Sequence, residues 1–304
     1  MELYRQSNQK LRVALIGFGE AATAFVSGWI NQVPAVFQAY DIKTEAGEDS
    51  KKQMFDTYQA MSVRGYDNVE DAVSSADVIF SLVTADQAEE AAMSVSRSIK
   101  QDAFYFDCNS CAPESKKRSS QLMHEAGGRY VDVAIMMPVH PRLNRTPALI
   151  SGKYSNEALA IMKTLVMDAE KIGDEVGQAS SVKLSRSIMI KGLEAITAEC
   201  LLTARKLGVE QHVIESLEQS HPGFNWKTAA YKMLERMTTH GIRRSAEMEA
   251  AVSMIKDLGL PADMSKATAR RQNQIGSLQL TAKDKFELAD KLIDTITASG
   301  FEKL

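Results

Sequence analysis

The sequence predicts an α/β fold, an N-terminal doubly wound parallel sheet followed by an all-α C-terminal domain, with the boundary at Gly177 and the two domains spanning residues 1–177 and 178–304. Three observations carry this prediction. Apolar runs of strand length alternate with longer helical stretches from Leu11 to about Val176, the pattern of a parallel sheet covered on both faces. The first apolar run leads straight into a glycine turn and then a helix-like stretch. Beyond Gly177 strand signals nearly vanish while helical periodicity continues, punctuated by Gly208, Pro222 with Gly223, Gly241, and Gly259 with Pro261.

In chain order, the predicted strands are Leu11 to Ile16, Val36 to Tyr40, Val78 to Val83, Ala103 to Asp107, Tyr130 to Ile135, Ala148 to Ser151 and Lys171 to Val176. Between them, Thr23 to Asn31 and Val69 to Ala76 read as helices. One long helix, Ser181 to Leu207, stops at Gly208. Leu184, Ile188, Ile196 and Leu201 give it an apolar face, and its length suits a helix that supports both domains or a subunit contact.

The glycine turn is the most informative segment. Gly17, Phe18, Gly19, Glu20, Ala21 and Ala22 separate the first strand from the first helix. Such a turn presents bare N–H groups at a helix N-terminus, where the absent side chain of the second glycine permits close approach and the helix dipole favours a pyrophosphate. Ala22 satisfies the third position, which needs only a small side chain. Asp41 follows the second strand, twenty-four residues after Gly17, near the place where an acid holds ribose hydroxyls. The expected ligand is therefore a dinucleotide, NAD in preference to NADP because Asp41 repels a 2′-phosphate, with Lys43 working against that preference. Thr84, Asn109 and Ser110 fall at the C-terminal ends of later strands, where open α/β sheets bind ligands.

Bulk composition excludes other classes. With 44% hydrophobic and 25% charged residues the chain is globular. A net charge of −3 supplies no basic footprint for nucleic acid, and no run approaches the roughly eighteen apolar residues of a membrane span. The polar first ten residues lack the apolar core of a signal peptide, and three cysteines suit a reducing compartment, so a cytoplasmic protein with a small-molecule substrate is expected. Cys108 and Cys111 form a C-x-x-C that reads as a redox pair or half a zinc site; no second ligand pair accompanies it, and no metal is expected.

The GxGxxA turn, the acid at Asp41, the segment Tyr130-Val131-Asp132-Val133-Ala134, and Gly177-Gln178-Ala179 leading to Lys183 together resemble the β-hydroxyacid dehydrogenases, relatives of 6-phosphogluconate and 3-hydroxyisobutyrate dehydrogenase. The resemblance is strongest from Leu11 to Lys191. It implies a Rossmann domain with a helical partner domain, hydride transfer between a nicotinamide and a small hydroxy acid or sugar-acid-like alcohol, and a homodimer or larger oligomer. It also implies that Lys183 is the catalytic acid/base and that Asp107-Cys108-Asn109-Ser110 approaches the nicotinamide. Two departures stand out. Met136-Met137-Pro138-Val139-His140-Pro141 occupies the place of the usual Ser-Gly-Gly substrate segment, and Ser187 replaces the asparagine four residues after the lysine. These features are most similar to a poorly characterised phosphogluconate-dehydrogenase-like branch.

Removing a hydride from an alcohol also requires removing a proton, and one lysine serves both directions of that chemistry. Arg186 and Lys191, on the same predicted helix as Lys183, are cations that favour its neutral form. Ser187, one turn on, can hold the substrate oxygen. His140, Arg142, Arg145 and Arg186 form a candidate site for a carboxylate or phosphate. His240, Arg243, Arg244 and Glu247 recur at helical spacing as a polar face that either lines the substrate site or is simply solvated. Oxidative decarboxylation of a 3-hydroxy acid and non-catalytic nucleotide sensing are the competing functions.

Overall fold

The computed structural model describes residues 10–280 and 289–298. The chain divides into two compact units, one ending at Lys183 and the other beginning at Leu184. The first unit is an eight-stranded sheet of order β3-β2-β1-β4-β5-β6-β7-β8. Its strands are β1 (Leu11–Ile16), β2 (Ala35–Tyr40), β3 (Arg64–Tyr66), β4 (Val78–Ser81), β5 (Phe104–Asp107), β6 (Arg129–Ile135), β7 (Ala148–Ser151) and β8 (Ala169–Gly173). Helices α1 (Glu20–Trp29), α2 (Glu48–Ala60), α3 (Val69–Val73), α4 (Ala88–Ser96), α5 (Pro113–Glu125) and α6 (Ser155–Thr164) connect them.

Alternation along each strand builds two cores. Val13 and Leu15 of β1 join Phe25, Trp29, Phe37, Phe80 and Phe106 on one face. Ala14 and Ile16 join Ile79, Tyr105, Met123 and Tyr130 on the other, so the central strands are apolar throughout, as a sheet covered on both faces requires.

Three features depart from the sequence expectation. β3 is absent from the sequence expectation: it is a three-residue edge strand, Arg-Gly-Tyr, that pairs with β2 and shows no apolar run. The sheet is mixed, because β6 and β7 pair antiparallel; residues 136–147 between them contain only the 3-10 turn Leu143–Arg145 and no crossover helix, and a parallel connection needs about a dozen residues, usually helical. β8 lies at Ala169–Gly173 rather than Lys171 to Val176, since the chain turns after Gly173 toward the next helix.

The second unit is helical among its described residues. α7 (Gln178–Lys206) runs into it, followed by α8 (Glu210–Ser220), α9 (Trp226–Asp257), α10 (Asp263–Gly276) and α11 (Ala289–Ala298). Gly208, at φ +69°, follows the end of α7, the left-handed position that glycine fills without a Cβ penalty. Ala198, Leu202, Leu234, Met237, Ile275, Leu292 and Ile296 form its main apolar cluster. At the crossing of α9 and α10 a Cβ on Gly241 would lie 2.7 Å from Gly276 Cα and 2.3 Å from Gln272 O. No described helix is long and apolar enough to cross a membrane.

Candidate active site

The glycine turn has the open backbone of a candidate phosphate cradle. Gly17 adopts φ +83°, and a Cβ there would meet Leu82 O at 2.7 Å and Val83 Cγ1 at 2.9 Å, so the turn and the end of β4 are in backbone contact. Gly19 precedes the first turn of α1, and the space its side chain would occupy is open for 4 Å. The first N–H groups of α1 have no intrahelical acceptor and no side chain caps them, which fits a dinucleotide pyrophosphate. Ala22 is fully buried and gives the close helix–sheet packing expected of it. Phe18 is buried, and its N–H donates to Asp41 Oδ2 at 2.7 Å. Asp41 Oδ1 accepts from Lys43 N at 3.0 Å. The acid therefore ties the end of β2 to the turn, while Glu20, Thr84 and Lys43 are exposed.

After β5 the chain crosses the same C-terminal edge of the parallel strands. Asn109 turns inward: its Oδ1 accepts from Val83 N at 2.8 Å and its Nδ2 donates to Ser81 Oγ at 2.9 Å and Asp107 Oδ1 at 2.8 Å. It fixes the loops after β4 and β5 to each other. Ser110 is half-buried and accepts from Lys183 Nζ at 2.6 Å. Two residues 73 positions apart, both singled out in the sequence, thus meet in one hydrogen bond.

Beneath this pair lies a charge network that the sequence reading missed. Lys116 is completely buried and pairs with Asp107 Oδ1 at 2.9 Å and Asp132 Oδ1 at 3.4 Å. Tyr130 donates to Asp107 Oδ2 at 2.7 Å, and burial, then Asp107 and Asp132, hold its phenol well above its ordinary value, so it remains a donor. Asp132 Oδ2 accepts from Gly177 N at 3.1 Å, Ser180 N at 3.0 Å and Ser180 Oγ at 3.0 Å, anchoring the start of α7. A signal was present: Lys116, Ser119 and Met123 recur at i, i+3, i+7 and are all buried on α5, which places the lysine on the inner stripe of an otherwise polar helix.

Residues 12–152 match the NAD binding domain of 6-phosphogluconate dehydrogenase, and residues 204–275 match a domain of unknown function, DUF1932. A conserved hypothetical protein from Sinorhizobium meliloti 1021 is 30% identical, with a TM-score of 0.77 over 97% of this chain and 98% of that one. The chain belongs to the β-hydroxyacid dehydrogenase family. MTH1747, a conserved protein of unknown function with structural similarity to 3-hydroxyacid dehydrogenases, is 28% identical, with a TM-score of 0.70 over 88% of this chain and 99% of that one. The 3-hydroxyisobutyrate dehydrogenase of Mycobacterium tuberculosis shares the fold at 14% identity, with a TM-score of 0.70 over 95% and 99% of the two chains. The dehydrogenase-family sheet unit thus carries an NAD-binding domain.

The segment standing where Ser-Gly-Gly is usual leads into a residue packed on α1. Asn144 is buried, donates to Val166 O at 3.0 Å, and presses so closely on α1 that a Cβ on Gly28 would lie 1.9 Å from its Oδ1. Gly28 is nine residues beyond Gly19, roughly 13 Å along the helix. His140, Arg142 and Arg145 around Asn144 are exposed, and their side chains make no hydrogen bond or ion pair among the described residues. Cys108 and Cys111 are free and buried. Burial pushes the Cys108 thiol well up and the Cys111 thiol to about 12, so both remain protonated and neither is a poised redox thiol. Among the described residues no group of three or more His, Cys, Asp or Glu side chains could hold a metal.

The helical unit has its own polar interior. Glu194 is completely buried and accepts from Arg236 Nε at 3.0 Å, Gln272 Nε2 at 3.0 Å, and Arg244. Lys191 pairs with Glu247 at 2.8 Å and donates to Ser187 Oγ at 2.9 Å, while Arg243 reaches the other oxygen of Glu247 at 2.6 Å. Burial lowers the Lys191 amine, an effect Glu247 opposes and Arg244 reinforces. Ser187 is buried, and Arg186, His240 and Arg243 are exposed. A separate cleft of about 220 Å³ in this unit, lined by Leu201, Arg205, Ile214, Lys227 and Tyr231 among others, contains none of the predicted site residues.

Proposed function

We propose that the chain is a nicotinamide-dependent dehydrogenase that interconverts a small hydroxylated acid and its carbonyl, with Lys183 as acid/base. The observation that carries this reading is the Lys183 amine held on Ser110, on the strand-end edge shared with the glycine turn. A bound nicotinamide supplies the hydride acceptor or donor. The N–H groups at the start of α1 receive the pyrophosphate. Asp41 keeps lone pairs for a ribose hydroxyl, since each oxygen accepts one backbone N–H, and its charge favours NAD over NADP. In the oxidative direction Lys183 Nζ accepts the hydroxyl proton, and in the reductive direction it returns one to the carbonyl oxygen. His140 and Arg142 are exposed candidates for substrate contact in the sheet unit, and Arg186, His240 and Arg243 are exposed candidates in the helical unit, whereas Ser187 is buried and accepts from Lys191.

The test is a turnover screen over hydroxy acids and sugar acids with both cofactors, run on the native protein and on Lys183→Ala. The variant is expected to lose ~10² to 10⁴ of turnover while binding NADH normally. Normal turnover would remove Lys183 from the chemistry, and tighter NADP binding would show that Asp41 does not decide the cofactor. At least a dimer is also proposed, supported by the exposed Met189 and Ile196, seven residues apart on α7. Sedimentation showing only monomer at micromolar concentration would exclude it.

A further inference from the structure

A buried ammonium paired with two buried carboxylates is an unusual choice for stability alone, because well-packed apolar side chains do as well or better in such a place. Its location suggests what else it does. Lys116 Nζ donates to Asp107 O at 2.7 Å and Asp107 Oδ1 at 2.9 Å and forms an ion pair with Asp132 Oδ1 at 3.4 Å. Asp132 Oδ1 has no hydrogen-bond partner, so the ammonium is what compensates that oxygen. The other oxygen of Asp132 holds Gly177 and Ser180. Ser180 lies three residues before Lys183 on α7, on the same helical face. Asp107 lies three residues before Ser110. One ammonium therefore clamps the two chain segments that carry the hydrogen-bonded pair.

We propose that Lys116 is a positioning residue: by joining Asp107 to Asp132 it fixes the loop bearing Ser110 against the first turn of α7 and so sets where the Lys183 amine stands. This rests on the reading of Lys183 as the acid/base. The charged and titratable groups of this cluster are Asp107, Asp132, Lys116, Tyr105, Tyr130, Cys108 and Cys111, and burial holds both phenols well above their ordinary value. With the thiols and the phenols protonated, the two carboxylates and one ammonium leave one net negative charge beneath Lys183.

The experiment is an NMR titration of ¹³C-methylated lysines in the full chain, with the Lys183 signal assigned through Lys183→Arg. Lys116→Met removes a positive charge and is expected to raise the Lys183 midpoint by about one pH unit. Asp132→Asn removes a negative charge and is expected to lower it by about half a unit. Lys117→Met, at an exposed neighbour, is expected to leave it in place. A Lys116 that stabilises the fold without acting at Lys183 would reduce the melting temperature and leave the midpoint in place. An unmoved midpoint in either folded variant, or shifts in the same direction, overturns the proposal. If Lys116→Met does not fold, Asp132→Asn decides alone. No step needs turnover, so an active Lys183→Ala would defeat the acid/base reading while these midpoints judge the positioning separately.

Discussion

Lys116 in the sheet unit and Lys191 in the helical unit are both buried ammonium groups, yet their surroundings push them in opposite directions. Around Lys116, burial works to lower the amine but is outweighed by the Asp107 and Asp132 carboxylates, so its proton is held more tightly than in water. Around Lys191, burial prevails over Glu247, which Arg243 shares, and over the weaker pull of Glu194, while Arg244 adds its own repulsion. Desolvation acts on both lysines; the number of unshared carboxylates decides the sign. The sheet unit surrounds its lysine with surplus negative charge, whereas around Lys191 the helical unit sets Arg236, Arg243 and Arg244 against Glu194 and Glu247.

The largest expected effect of that difference is on stability. Lys116→Met strands two buried carboxylates and should cost about 3–5 kcal/mol. Lys191→Met leaves Glu247 with Arg243 and should cost about 1–2 kcal/mol. Urea denaturation of the two variants checks this, and equal costs would break the comparison.

A smaller effect appears with pH. Lys116 is raised in the folded chain, so its contribution is fully present below its unfolded value of ~10.4 and is lost only at still higher pH. Lys191 is lowered, so between its folded value and ~10.4 the unfolded chain binds more protons and stability rises with pH. Urea midpoints from pH 7 to about 10 should therefore shift in favour of the native protein relative to Lys191→Met. Relative to Lys116→Met they should show no such trend. A flat difference for Lys191→Met would mean that its amine is not depressed.

The smallest effect sharpens the account of sharing. Arg243→Ala removes an exposed i, i+4 partner and should change stability by no more than about 0.5 kcal/mol. It should also flatten the pH trend attributed to Lys191, because Glu247 would then serve that lysine alone. A cost as large as that of Lys191→Met would show that Arg243 is the principal partner instead.

What could be read in advance follows the range of the interactions. The glycine turn, the acid at Asp41 and the central strands were legible because each is specified within a few neighbouring residues. Ser110 and Lys183 were legible separately; their hydrogen bond was not, since it spans 73 positions. β3 escaped because an edge strand held by backbone pairing needs no apolar run. The direction of β7 escaped because alternation along a strand says nothing about its partner, although the absence of a helix in residues 136–147 was a usable clue. Lys116 lay unmarked in a lysine-rich helix whose inner stripe alone distinguishes it. Lys191 was read only as a cation beside Lys183, and the structure shows it committed to Glu247 and Ser187.

The meeting of Gly241 and Gly276 bears on how this sequence can change over time. A methyl group at either position would fall within 2.7 Å of the opposite backbone, where only main-chain movement could make room. Compensation by a nearby side chain is therefore closed to both sites, and each constrains the other. Homologous sequences that keep this helix crossing should retain glycine at both positions while the residues around them drift. A lineage that lost one would have to move α9 and α10 apart, taking Gln272 away from Glu194.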